Sequence, residues 1–380
     1  MNRAQNGVRG HGAGGADGSL RGVTKLAFTD HRADPAAWAR SLGVSTEAVA
    51  LYLESEVIDL HVDSFLWKRM AGYDLTRRHG PGPLGAAFAR QVDLPRIREA
   101  QVSGAIWVIT TNPWRTAQGR AEAFSRNLDA LRAELARAPD DVAVVRTVAE
   151  YEAARAQGKH AAFLGIQGGN ALDVEADGRA LDRAGDWILR VTLVHLTNSL
   201  LGGTSAPQGG NLPLSDRGRD YVRALNARKI FVDLAHISRR AFFDALEVHD
   251  RTQPVLVTHT GLDGATPHWR NITDAQLRAV ADLGGTVGVI YQSEFLGDPL
   301  LGGKLASIVR HLGHICDTVG EDFASLGSDW DGMIVTPRDM PTCLELPRLV
   351  DAMLRAGWSD TRVKKILGGN FLRVVKALRG

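Results

Sequence analysis

From residue 56 onward, short apolar runs alternate with longer amphipathic stretches. The runs fall at 57–63, 102–111, 161–169, 188–195, 230–236, 254–260, 285–291 and 323–329. They are apolar throughout, the pattern of parallel strands buried on both faces. The stretches between them, at 121–138, 217–227, 274–283 and 305–319 among others, have helical spacing. Eight strand-then-helix units predict an α/β chain folded as a (β/α)8 TIM barrel. The rival, a doubly wound sheet, would show fewer strands and a glycine-rich first turn.

Two short helices, at 35–42 and 45–55, precede this pattern as a helical N-terminal extension, and 358–380 reads as a helical tail. Residues 1–22 are polar and Gly-rich and are expected to be disordered, which leaves 23–380 as a single domain. Gly10, Gly12 and Gly15 spell G-x-G-x-x-G there. No strand precedes them and no apolar helix follows, so they are not a dinucleotide loop.

Composition narrows the function classes. The 380 residues carry 45 basic and 43 acidic side chains, a net charge of +2. Such a balance offers no pull toward nucleic acid or an anionic membrane. No run approaches the roughly 18–20 apolar residues of a membrane span, and no apolar segment near the start reads as a signal peptide. A cytoplasmic protein is expected. Two cysteines, Cys316 and Cys343, are too few for a disulfide framework or a cysteine zinc module.

The expected strand ends are unusually polar. The first ends in His61 and Asp63, which share a face. Others end in Gln167, His195, His236, His259 and Asp329. A barrel enzyme carries its chemistry at this end of its strands. Four of the twelve histidines terminate four different runs, and imidazole with carboxylate is a ligand set for Zn²⁺ or a similar ion.

In these segments the chain resembles the membrane (renal) dipeptidase family, the M19 metallopeptidases of the amidohydrolase superfamily. The matching stretches run from IDLHVD (58–63) and QVDLPRI (91–97) through GIQGG (165–169), VTLVHLTN (191–198) and FVDLAHIS (231–238). They continue through VLVTH (255–259), HWRNITD (268–274) and LGSDWDG (326–332) to ILGGNFLRV (366–374). The resemblance implies a (β/α)8 barrel whose two zinc ions share a bridging carboxylate. It implies His61, Asp63 and Asp329 at one ion and His236 and His259 at the other. It also implies His195 on the scissile carbonyl, Arg270 on the substrate's terminal carboxylate, and Asp329 as the proton carrier. Hydrolysis of the amide bond of a dipeptide or dipeptide-like small molecule follows, and a homodimer is the default assembly.

One position departs from this pattern. The bridging glutamate falls on Gln167, inside an intact Gly-x-Gly-Gly frame. Glutamine offers one neutral oxygen, and its NH₂ cannot ligate. A weakened pair is therefore expected, with two Zn²⁺ held unequally, one retained or none; His61, Asp63 and Asp329 could hold a single ion, with the Gln167 oxygen or His236 completing its shell. The alternative is a repurposed or non-catalytic barrel that acts on or binds a small molecule of a specialised pathway. Asn198 is expected to shape the pocket, Asp331 to orient a histidine, and Asp233 to face away from the site and cap a loop. The small-residue loop 201–211 reads equally as a lid or as plain surface.

Overall fold

The computed structural model describes residues 25–111, 115–172 and 179–380. The expected disorder and the glycine pattern of residues 1–22 lie outside them. Nine parallel strands form one sheet: β1 Ile58–Val62, β2 Gly104–Thr110, β3 Val142–Val144, β4 His160–Gln167, β5 Ile188–Thr192, β6 Phe231–Asp233, β7 Leu256–Thr260, β8 Thr286–Val289 and β9 Ala324–Leu326. Their order is β2-β1-β9-β8-β7-β6-β5-β4-β3, and β2 also pairs with β4, which closes eight of them into a (β/α)8 barrel.

The unexpected strand is β3. It sets Val142 against His160 beside the first half of β4. It lies at the end of the strand order and only Val142 of its three residues is buried, so it does not stand out as a strand buried on both faces.

The helices begin where the chain supplies caps. Asp34 accepts from the Ala37 N–H, Pro35 opens Pro35–Leu42, and Gly43 closes it in the left-handed region. Ser45 caps Thr46–Leu53, and its own N–H donates to Asp351 at 2.9 Å, tying the extension to the barrel body. The tail is two helices, Asp360–Lys364 and Asn370–Arg379, joined by a π turn. Phe371 of the last helix meets Phe163 of β4 edge-on at 5.4 Å.

Three strands stop before the polar residues expected to end them. β5 ends at Thr192, β6 at Asp233 and β9 at Leu326, so His195, His236 and Asp329 stand on the following loops. His236 and Asp329 have φ near 64° and Asp331 has φ 65°. An L-residue in that region turns the chain out of a strand.

The loop 201–211 is fastened down. The Thr204 hydroxyl donates to the His195 carbonyl at 2.6 Å. Isolated bridges join Gly202 to Leu214 and Thr204 to Ile237.

Candidate functional site

Seven strand ends and loops converge on one mouth. His61 lies in β1, His259 in β7 and Gln167 at the tip of β4. His61 Nε2 stands 3.4 Å from an Asp63 oxygen and 3.5 Å from an Asp329 oxygen. Ligand atoms of His61, His259 and Asp329 lie within 4.8 Å of one another, the spacing of a metal-binding group. His236 Nε2 is 2.8 Å from His259 Nε2. One end of the Gln167 amide lies 3.0 Å from the first nitrogen and 3.3 Å from the second.

Either end of the Gln167 amide fits between the histidines and Thr110, and the Thr110 hydroxyl links the choice to Asp63. The other end of Gln167 lies 3.0 Å from the Thr110 hydroxyl, which also donates to Asp63. That hydroxyl has one proton. With that proton given to the carboxylate, the hydroxyl can accept from Gln167 when the amide turns its NH₂ to Thr110, which brings the carbonyl oxygen to the histidines, as a bound ion would require. The two orientations differ by half a turn and are identical in shape.

Asp233 faces into the barrel, not away from it. It accepts from the Thr258 hydroxyl at 2.7 Å and from the Thr192 hydroxyl at 2.5 Å. Thr258, its proton so used, accepts from His259 Nδ1 at 2.9 Å. That leaves the His259 Nε2 lone pair directed at the mouth.

Arg190, in the middle of β5 and fully buried, was not singled out by the sequence reading. Its guanidinium donates to His61 Nδ1 at 2.7 Å and to the Ile166 carbonyl at 3.1 Å, and pairs with Asp233 at 3.1 Å. The signal was present in the sequence: one full charge inside a run that is otherwise apolar or small needs partners. Gly165 makes the room, since a Cβ there would lie 2.8 Å from Arg190 Nε. Thr110 was missed for a simpler reason, because a hydroxyl at a strand end carries no pattern.

Arg270 is buried and lines the pocket. Nη2 donates to the His259 carbonyl at 2.8 Å, while Nε has no partner. Beside it, Trp269 and Phe295 meet edge-on at 5.8 Å, and His268 stacks on Phe295 at 4.6 Å. Trp269 and Phe295 with Leu196, Met333 and Ile334 make an apolar rim around a cavity of 210 Å³. Asn198 does not line that cavity. It is exposed, with Oδ1 accepting from Thr204 N at 2.9 Å and Nδ2 donating to the Gly209 carbonyl at 3.0 Å. Asp331 orients no histidine. It accepts from Ser64 at 2.5 Å and from the Gln91 N–H at 2.8 Å, anchoring the segment behind the mouth.

Burial divides the ionisable groups. It pushes His195 down to about 4, and drives His236 and His259 well below the ordinary histidine value with help from the Arg270 charge. These rings are neutral ligands or donors at pH 7. Burial and the Asp63 charge hold Asp329 well above a normal carboxylate, against the pull of Arg270. Burial also works against Asp63, yet its hydrogen bonds with His61 and the Thr110 hydroxyl help to lower that group. Two carboxylates in one mouth are thus set apart, Asp63 held toward its charged form and Asp329 toward its protonated form.

Residues 45–379 match the family model of membrane dipeptidases, peptidase family M19. A Klebsiella pneumoniae protein described as "Uncharacterized protein in pqqA 5'region" is 37% identical over 166 residues, 43% of this chain. The match spans 60% of that relative's length. A metallopeptidase from Rhodobacter sphaeroides, solved with a phosphinate mimic of the dipeptide L-Ala-D-Ala, shares the fold at TM-score 0.73 and 23% identity, over 85% of this chain and 99% of that one. The probable dipeptidase PvdM from Pseudomonas aeruginosa gives TM-score 0.76 at 17% identity, over 90% and 99%.

Proposed function

Because the chain belongs to the membrane dipeptidase family, peptidase M19, we propose that it is a metal-assisted hydrolase of the amide bond in dipeptides or dipeptide-like small molecules. The observation that carries this reading is the triangle of His236 Nε2, His259 Nε2 and the Gln167 amide, with sides of 2.8, 3.0 and 3.3 Å. Ligands about 2.0–2.1 Å from a tetrahedral zinc lie roughly 3.3 Å apart. Three donors in this arrangement lie a few tenths of an ångström inside one face of such a shell, so the residues fit an ion once the rings part by that much. When bound, the ion supplies Lewis-acid activation.

The chain's own groups supply the rest. Arg270 lines the pocket and holds the substrate's free carboxylate through the guanidinium N–H groups not given to the His259 carbonyl, its Nε having no protein partner. Trp269 and Phe295 lie next to it and receive the adjoining side chain, so an apolar C-terminal residue is favoured. His195, a neutral ring with Nδ1 unpartnered, faces the pocket and donates to the carbonyl oxygen as negative charge grows there. Asp329 hands a proton to the leaving amine.

Metal analysis of protein purified without chelator, with a dipeptide panel run in Zn²⁺ or Mn²⁺, tests this. No bound ion and no hydrolysis would sink it. The neutral Gln167 favours a second reading, a barrel that binds such molecules without turning them over. Gln167→Glu separates the two: gained activity marks the glutamine as the defect, and a lost native activity marks it as an adaptation.

A further inference from the structure

We propose that Arg190 bars a divalent ion from the His61 side of the mouth, so that this barrel holds a single ion on the His236–His259–Gln167 triangle. The argument is one of protons and lone pairs. A guanidinium has five N–H donors and no acceptor. Arg190 sits 2.7 Å from His61 Nδ1, so that nitrogen is the acceptor of the bond. A neutral imidazole carries one proton, and in His61 it is then on Nε2. The Nε2–H points at Asp63 and Asp329, 3.4 and 3.5 Å away. A nitrogen that carries a proton has no lone pair for a metal. His61 therefore donates toward the two carboxylates where a ligand would accept an ion.

His259 is the internal contrast. Its Nδ1 donates to Thr258, whose own proton goes to Asp233, and its Nε2 is left open. Two histidines in one mouth are thus held in opposite tautomers by what stands behind them. The charges agree with this division. The guanidinium lies beside Asp233 at 3.1 Å and behind the His61–Asp63–Asp329 cluster. It is the cation those acids already have, fixed in the barrel wall. Gly165 is the space built for it, with Arg190 Cδ 3.2 Å and Nε 2.8 Å from where a Cβ would stand.

The proposal rests on the reading of the mouth as a metal site, and the test keeps the two apart. Full-length protein with ¹⁵N-labelled histidine is stripped of metal, and the ring nitrogens are read by long-range ¹H–¹⁵N NMR, with His61 assigned by its loss in His61→Ala. Expected are a protonated Nε2 and a bare Nδ1 at His61. Zinc is then titrated in. One equivalent is expected to bind, shifting His236 and His259 and leaving the His61 pattern in place. His61→Ala is expected to keep that equivalent and His236→Ala to lose it. A protonated Nδ1 on His61, a zinc shift at His61 Nε2, or a second equivalent overturns the role of Arg190. No bound zinc overturns the single-ion claim together with the metal reading, whatever the tautomer.

Discussion

The Nε2 atoms of His236 and His259 stand 2.8 Å apart, closer than two ligands of one zinc ion and close enough that only one of them carries a proton. An ion entering here replaces a hydrogen bond between two rings, and the third vertex of the triangle decides how tightly it is held. Gln167 supplies a neutral oxygen at that vertex. Gln167→Glu supplies a charged one, and zinc affinity is expected to rise by about 10-fold or more. Competition with a chromogenic chelator measures it. Stoichiometry is expected to stay at one, because Arg190 is untouched.

Arg270 offers two adjacent donors in a plane, a geometry an ammonium lacks. Arg270→Lys is expected to lower kcat/KM on dipeptides with a free carboxylate by about 10² or more. Substrates with an amidated C-terminus lack the partner for that fork, and their turnover should fall far less. Equal losses on both would mean that Arg270 matters to the fold of the mouth and not to the carboxylate.

The aromatic wall makes a separate claim about side chains. Trp269→Ala removes a large apolar face beside Arg270 and is expected to cost about 10-fold in kcat/KM for substrates with a bulky apolar C-terminal residue. A C-terminal glycine does not reach that wall, so its kcat/KM should hold. If glycine and leucine substrates fall together, the wall does not select.

A pH effect on stability arises far from the mouth. His160 opens β4 and is fully buried, with Nδ1 bonded to the Val102 carbonyl at 2.9 Å and Nε2 accepting from Trp107 at 3.0 Å. Burial pushes its imidazole down to about 3. Between about 6.5 and about 3 the unfolded chain binds a proton here that the folded chain refuses. Stability from this group is therefore whole above pH 6.5 and is lost as pH falls. The slope is at most about 1.4 kcal/mol per pH unit. Urea unfolding at pH 7.5, 6 and 5 should show it, and His160→Gln should flatten that acid limb. An unchanged slope in the variant would assign the limb to other groups.

The barrel was legible because the segments around eight of its strands are buried enough to leave runs in the chain. β3, with Val142–Val144, is not. The polar residues that converge on the mouth were legible from their place at the ends of those runs. Their partners were not, because a partner is fixed by geometry across strands. Thr258 and Thr192 read as ordinary strand residues, yet both donate to Asp233, and that sets the tautomer of His259. Asp233 was placed on the wrong side of β6 for the same reason. Counting by twos from His236 assumes an extended strand, and the strand ends at Asp233 before a left-handed turn at His236. Asn198 shows the opposite error. It sits close to His195 in sequence, but its amide is taken up by the loop that it folds.

The left-handed backbone at His236 and Asp329 also bears on anyone who would copy this centre. Placing the same side chains on another barrel would not reproduce it, because an ordinary strand end would aim both elsewhere. The turns have to travel with the side chains, and each disfavours a non-glycine residue by roughly 1–2 kcal/mol. A transplanted mouth would need a host stable enough to bear that, while a glycine that relieved it would remove the working side chain.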